Sequence, residues 1–192
     1  MRYFTISEML RSDTALKMGI WNGANLEHEE NMRALVENVL DPLRAKYGHP
    51  IYVSSGYRCP KLNNAVNGAP NSQHMRGEAA DIYANGVGPS TGSGTSMDEN
   101  LKLARMIAEA GNFDQMILEE VPADSLEPRW IHVSYKRLGW NRRNILKKVS
   151  GKAGYQTVSK EELINFQLPL ARSQKSSTFA ASDSTLSHNS IV

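Results

Sequence analysis

Five histidines, at positions 28, 49, 74, 132 and 188, are the natural starting point for metal or acid–base chemistry in this chain. Three have ordinary settings. His28 lies among Glu27, Glu29 and Glu30 at a helix start, His49 precedes Pro50 in a turn, and His188 lies in a serine-rich tail. The other two stand out. His74 sits in the polar loop Asn71-Ser72-Gln73-His74-Met75-Arg76-Gly77-Glu78, which runs into Ala79-Ala80-Asp81-Ile82-Tyr83, and His132 sits in the strand pattern Trp130-Ile131-His132-Val133-Ser134-Tyr135. An ionised Asp81 among small and apolar neighbours is costly unless a partner or a cation meets it. A divalent cation shared by His74, Asp81 and His132 would do so. Imidazole and carboxylate suit Zn²⁺, and three protein ligands leave a fourth position for water, the arrangement of catalytic rather than closed structural zinc. On spacing alone the pattern is shared by unrelated proteins, and a lone strand histidine is ordinarily a hydrogen-bonded core residue. The single cysteine, Cys59, excludes an internal disulfide and a cysteine-rich cluster. With no histidine placed beside it by any motif, it reads as a packing residue rather than a nucleophile.

These side chains need elements to hold them. Thr5-Ile6-Ser7-Glu8 is a capping box, so a short helix starts there. Met32, Leu35, Val36, Val39, Leu40 and Leu43 form one apolar stripe, predicting a helix from about Glu27 to Lys46 that stops at Gly48, with Pro42 kinking its last turns. Ile51-Tyr52-Val53-Ser54 reads as a strand leading into Ser55-Gly56-Tyr57-Arg58, and Pro60 opens a short helix ending at Asn67-Gly68. A loop covers Ala69 to Glu78, a strand Ala79 to Ala84, and a flexible Gly/Ser/Thr-rich connection Asn85 to Ser96. Ser96-Met97-Asp98-Glu99 is a second capping box, for a helix closed by Gly111. Phe113 to Glu120 and Arg129 to Tyr135 are the last strands. Two to four strands interrupted by helices predict an α+β domain, a small antiparallel sheet with helices packed on one side and the metal site at the sheet.

At 192 residues and 40% hydrophobic, the chain has enough apolar content for one compact domain. That domain is expected over residues 1–150, followed by an extension over 151–170 and a disordered serine-rich tail over 171–192. Mean hydropathy of −0.46 and the lack of any apolar run of about 20 residues exclude membrane insertion. No apolar stretch of signal-peptide type follows Met1, so the product is expected to begin in the cytoplasm. The net charge of +2 is too weak to indicate nucleic acid. Charge is uneven, however: residues 128–160 hold nine Lys or Arg and no acidic residue.

Ser72-Gln73-His74-Met75-Arg76-Gly77-Glu78-Ala79-Ala80-Asp81 resembles the Ser-x-His-x-x-Gly-x-Ala-x-Asp motif of the zinc D-Ala-D-Ala carboxypeptidases and related phage endolysins, which cut peptidoglycan stem peptides. Trp130-Ile131-His132 resembles the family's second zinc motif, and Ser55-Gly56-Tyr57-Arg58 its substrate-holding segment. The likeness runs from about Phe4 to Val149 and is nearest to a phage and prophage branch. It implies that His74, Asp81 and His132 ligate Zn²⁺, that Arg58 clamps a carbonyl or carboxylate and the developing oxyanion, and that Ser72 bonds substrate or braces its loop. It further implies hydrolysis by a metal-activated water with a glutamate as base, and action on the bacterial cell wall after release from the cell.

One position departs from the family pattern. Where carboxypeptidases of the family place the basic glutamate, three residues before the last histidine, this chain has Arg129. Glu119 is the favoured substitute, because a hairpin between the last two strands would set it beside His132, with Gln115, Ile117 and Glu119 alternating onto one face. Glu120 and Glu127 are the alternatives. The departure keeps a second function open, a non-catalytic zinc-containing module that binds peptide or serves in phage structure. Lys136 to Lys148 reads as solvated surface around a few packing residues, or as a patch attracted to anionic wall polymers. No nucleic-acid motif accompanies it.

Overall fold

The computed structural model describes residues 1–84 and 94–167. Most of the connection expected over Asn85 to Ser96, and all of the 171–192 tail, lie outside the described residues. Strands β1 (Ile51–Ser55), β2 (Ala79–Ala84), β3 (Gln115–Val121), β4 (Trp130–Ser134), β5 (Asn144–Val149) and β6 (Gln156–Thr157) form one sheet in the order β1-β2-β4-β3-β5-β6. Neighbours run antiparallel except β3 and β5, which are parallel. The architecture is the expected mixture of helices and sheet, but six strands replace the two to four read from the sequence. The additional two come from the basic region. In β5 only Ile145 and Val149 are buried, and Lys147 and Lys148 between them hide the strand signal.

Register divides the sheet into two faces with different work. Ala80 opposes Val133, Ile82 opposes Ile131, and Met116 opposes both Val133 and Ile145, so these side chains share one face and join the main hydrophobic core. The alternate residues face the other way. Ser55, Asp81, His132, Ile117 and Leu146 occupy successive strands in one row across the opposite face.

Helices build the other wall of the core. Thr5 caps α1 (Ile6–Leu10) as expected, its Oγ accepting the Glu8 N–H at 3.1 Å. A further short helix, α2 (Asp13–Lys17), starts on a Ser12 cap that was not anticipated. The predicted Glu27 to Lys46 helix is α3 (Leu26–Leu35), a π-helical segment (Val36–Leu40) and α4 (Asp41–Tyr47) in unbroken succession. Pro42 explains the interruption: it has no N–H to offer the Asn38 carbonyl, which takes the Asn112 amide at 3.0 Å instead. Gly48, at φ 81°, ends the run. Next come α5 (Pro60–Ala65), the 3₁₀ turn Gln73–Arg76 within the expected loop, α6 (Gly94–Ala110) and α7 (Lys160–Asn165). Because α6 begins at Gly94, Ser96 lies inside it rather than at its cap. Val158 and Leu163 are buried in the same core as the sheet, and Arg105 on α6 donates from Nε to the Leu163 carbonyl at 3.0 Å.

A second constraint is electrostatic. Asp114, fully buried at the start of β3, accepts from Arg142 through its backbone N–H and guanidinium, from the Gln73 amide at 3.0 Å, and faces Lys136 Nζ at 3.4 Å. Burial pushes its carboxyl up, but the Arg142 hydrogen bonds and the two positive charges outweigh that and hold it at about 2. Arg137 likewise pairs with Glu30 at 3.1 Å and with Asn31. Part of the basic region is therefore internal wiring rather than free surface. Because the folded pKa lies below the ordinary carboxylate value, this stability is present above about pH 4 and is lost as pH falls toward 2. Asp114→Asn should destabilise the protein by about 2–4 kcal/mol at neutral pH and flatten unfolding free energy between pH 4 and 2, measured by denaturant titration.

Candidate metal centre

Three segments distant in sequence meet on the open face of the sheet. β2 supplies Asp81, β4 supplies His132 directly opposite it, and the 3₁₀ turn supplies His74. That turn ends at Gly77 with φ 70°, where a β-carbon would stand 2.5 Å from the His28 carbonyl, so both backbone shape and space require glycine. Reciprocal bonds fasten the His74 loop to the Gly56-Tyr57-Arg58 segment: the Arg58 N–H donates to the His74 carbonyl at 3.1 Å, and His74 Nδ1 donates to the Gly56 carbonyl at 2.7 Å. Asn22 steadies the same segment, bonding the Tyr57 carbonyl and the Cys59 N–H.

A carbonyl can only accept, so the bond to Gly56 places the His74 proton on Nδ1 and leaves a lone pair on Nε2. Nε2 lies 3.2 Å from Asp81 Oδ1 and 3.1 Å from His132 Nδ1, and that Nδ1 lies 3.1 Å from the same Oδ1. A proton on His132 Nδ1 can serve two edges of this triangle. The His74–Asp81 edge then remains lone pair against lone pair. A divalent cation satisfies all three donors together, and tetrahedral ligation at about 2.0–2.1 Å separates ligand atoms by about 3.3 Å, close to the observed edges. The residues fit a metal ion. All three are buried, and burial pushes His74 toward the neutral form a ligand needs, with Asp81 opposing that shift. For Asp81 burial acts upward, yet the positive character and hydrogen bonds of His74 and His132 prevail and hold the carboxyl well below the usual range.

The group borders a cleft of about 550 Å³ whose walls include Arg58, Ser72, Glu119 and Trp130. Arg58 donates from Nη2 to Asp81 Oδ2 at 2.6 Å and from Nε to Ser55 Oγ at 2.7 Å, so its guanidinium holds the carboxylate while Oδ1 faces the histidines. β3 and β4 do pair, with Glu119 opposite Trp130, and Gln115, Ile117 and Glu119 all line this cleft. Burial, reinforced by the Asp81 charge, pushes Glu119 up to about 7, with His132 opposing. The other acids lie elsewhere. Glu120 has φ 53° at the register break between Leu118 and Val121, and Glu127 is buried against Ser125, its carboxylate accepting the Ser125 hydroxyl at 2.9 Å. Neither is among the residues lining the cleft. Arg129, in the position of the family's glutamate, meets Glu119 through the backbone, its N–H donating to the Glu119 carbonyl at 2.9 Å. Cys59 caps α5 through Sγ.

Tyr155 also lines the cleft, with Lys148 Nζ 5.2 Å from its ring centre. No periodic signal marks it in the sequence, because it lies in a turn before the two-residue strand β6. The link from Gln73 to Asp114, which ties the His74 loop to β3, was equally silent.

Residues 2–115 match the family model described as Peptidase M15. A comparison with curated proteins found no match. The matched stretch includes His74 and Asp81 and ends before Glu119 and His132, which the sheet brings back to them. Zn²⁺ added to metal-free protein should raise the melting temperature, by the equivalent of about 2.7 kcal/mol at a hundredfold excess over Kd. His74→Ala and His132→Ala should each lose that rise in a thermal-shift titration, and a full rise in either variant would place the ion elsewhere.

Proposed function

This chain belongs to the peptidase M15 family of metallopeptidases, and from that premise we propose a zinc-dependent enzyme that hydrolyses peptide bonds in peptidoglycan stem peptides or cross-links, in the manner of a D-Ala-D-Ala carboxypeptidase or an endolysin. One observation carries the reading: three atoms able to ligate a metal converge beside a cleft lined by a half-buried glutamate whose pKa is raised toward neutrality. Zinc is favoured over other ions by a donor set of two imidazoles and one carboxylate.

A zinc ion held by His74, Asp81 and His132 supplies Lewis acidity toward the scissile carbonyl and toward water. Glu119 takes a proton from the attacking water and returns it to the leaving amine, a task suited to a half-buried carboxylate that burial pushes upward at the wall of the cleft. Arg58 keeps Asp81 oriented, and the N–H groups beyond its bonds to Ser55 and Asp81 offer hydrogen bonds to a carbonyl oxygen as negative charge develops. Ser72 lies at the cleft wall within the matched motif and contributes a hydroxyl toward bound peptide. Action on the cell wall after release completes this proposal. Among the described residues no helix is long and apolar enough to cross a membrane.

The rival reading, a zinc module that binds peptide without cutting it, rests on Arg129 in place of the usual glutamate. Muropeptide digestion followed by mass spectrometry separates the two and identifies the bond. Glu119→Gln should retain zinc and lower kcat by about 10²–10⁴-fold. Since the base acts ionised, wild-type kcat/KM should fall as pH drops through the Glu119 pKa, and the charge of the bound ion sets that limb below about 7. Zinc retention by a wild-type protein that leaves every muropeptide intact would favour the binding module.

A further inference from the structure

The open face of the sheet continues past Arg58. Tyr52 and Tyr83 pair across β1 and β2 on the same face as Ser55 and Asp81, their rings stacked with centres 5.6 Å apart. Between these rings and the start of α2 lies a second cavity of about 560 Å³, which shares Arg58 and Val66 with the metal cleft. The two cavities, nearly equal in volume, thus meet at Arg58, beside the His74, Asp81 and His132 group.

Four ionisable side chains of the kind that recognise charge line the second cavity: Glu8, Arg11, Asp13 and Arg58. Two of them pair with each other, Arg11 with Asp13 at 3.5 Å, and Arg58 is taken by Asp81 at 2.6 Å. Glu8 is different. Its backbone N–H bonds the Thr5 hydroxyl and its carboxylate takes the Thr5 N–H in return, closing the capping box, but no Lys or Arg pairs with it among the described residues. A half-buried carboxylate that has lost water without gaining a counter-charge gains most from a cationic ligand. Ser12, Ser54 and Ser55 line the same cavity, but their hydroxyls are already bonded to the Ala15 N–H, the Asp81 carbonyl and Arg58 Nε, which leaves Glu8 as the group with charge to offer.

We propose that this second cavity is a subsite for a primary ammonium group on the peptide substrate, with Glu8 as its counter-charge. A stem peptide held there by a diamino-acid side chain would run past Arg58, so that the scissile bond is chosen by its distance from that amine. The identity of the peptide rests on the peptidase reading above, whereas the charge preference does not.

Calorimetric titration tests it on the full chain carrying Glu119→Gln, which slows turnover by about 10²–10⁴-fold. The probes are the stem peptide L-Ala-γ-D-Glu-L-Lys-D-Ala-D-Ala and the same peptide acetylated on the lysine amine. The free amine should bind about tenfold more tightly, a ratio that shrinks at high salt. Adding Glu8→Gln should bring the ratio to about one, while Thr5→Ala, which removes the cap hydroxyl and keeps the carboxylate, should preserve it. Equal binding of both peptides, binding of neither, or a ratio that survives Glu8→Gln would overturn the proposal. Wild-type hydrolysis is scored separately. A preserved ratio without hydrolysis counts against the peptidase alone, and hydrolysis with a ratio of one counts against the subsite alone.

Discussion

Two imidazole nitrogens and one carboxylate oxygen face a common point at edges of 3.1–3.2 Å, with His74 Nε2 and Asp81 Oδ1 set lone pair against lone pair, and the surrounding structure is what keeps them there. Such an arrangement is unfavourable without a cation, so each donor has to be restrained by something other than its neighbours in the triangle. His74 is restrained by the Gly56 carbonyl, Asp81 by Arg58, and Asp81 and His132 together by their opposition across β2 and β4. Ser55 in turn fixes Arg58. Gly56 itself cannot be exchanged without disturbance, since a β-carbon there would stand 2.2 Å from the Met9 carbonyl.

The sheet reconciles this polar group with a stable core because successive side chains along a strand point to opposite faces. Ala80 and Ile82 bury themselves against the helices while Asp81 between them faces the cleft. Ile131 and Val133 do the same around His132. Glu119 joins them through the β3–β4 register, and the irregularity after it returns Val121 to the core while giving Glu120 a left-handed backbone.

Charge outside the site is used to hold elements together. Asp114 collects Gln73 from the His74 turn, and Lys136 and Arg142 from the connection between β4 and β5. A buried carboxylate with three such partners fixes where that connection runs, and through Gln73 it also fixes the residue preceding His74. The basic character of residues 136–142 is better understood as the complement of this acid and of Glu30 than as a uniform surface patch.

Much of the site was legible from local pattern. The strand placing Asp81 between alanines and isoleucine, the loop carrying His74, and the alternation of Gln115, Ile117 and Glu119 all follow from rules that act over a few residues. The helical stripe from Met32 to Leu43 and the Thr5 cap were read for the same reason. What the sequence could not decide was set by contacts between distant segments: the parallel pairing of β5 with β3, the choice of Glu119 over Glu120 and Glu127 as the acid in the cleft, the commitment of Arg58 to Asp81, and Asp114 as a hub. Composition and periodicity report which face a residue prefers, because burial is a property of one side chain. Which carboxylate meets which cation depends on strand order and register, and those are fixed only when the whole sheet closes over its core.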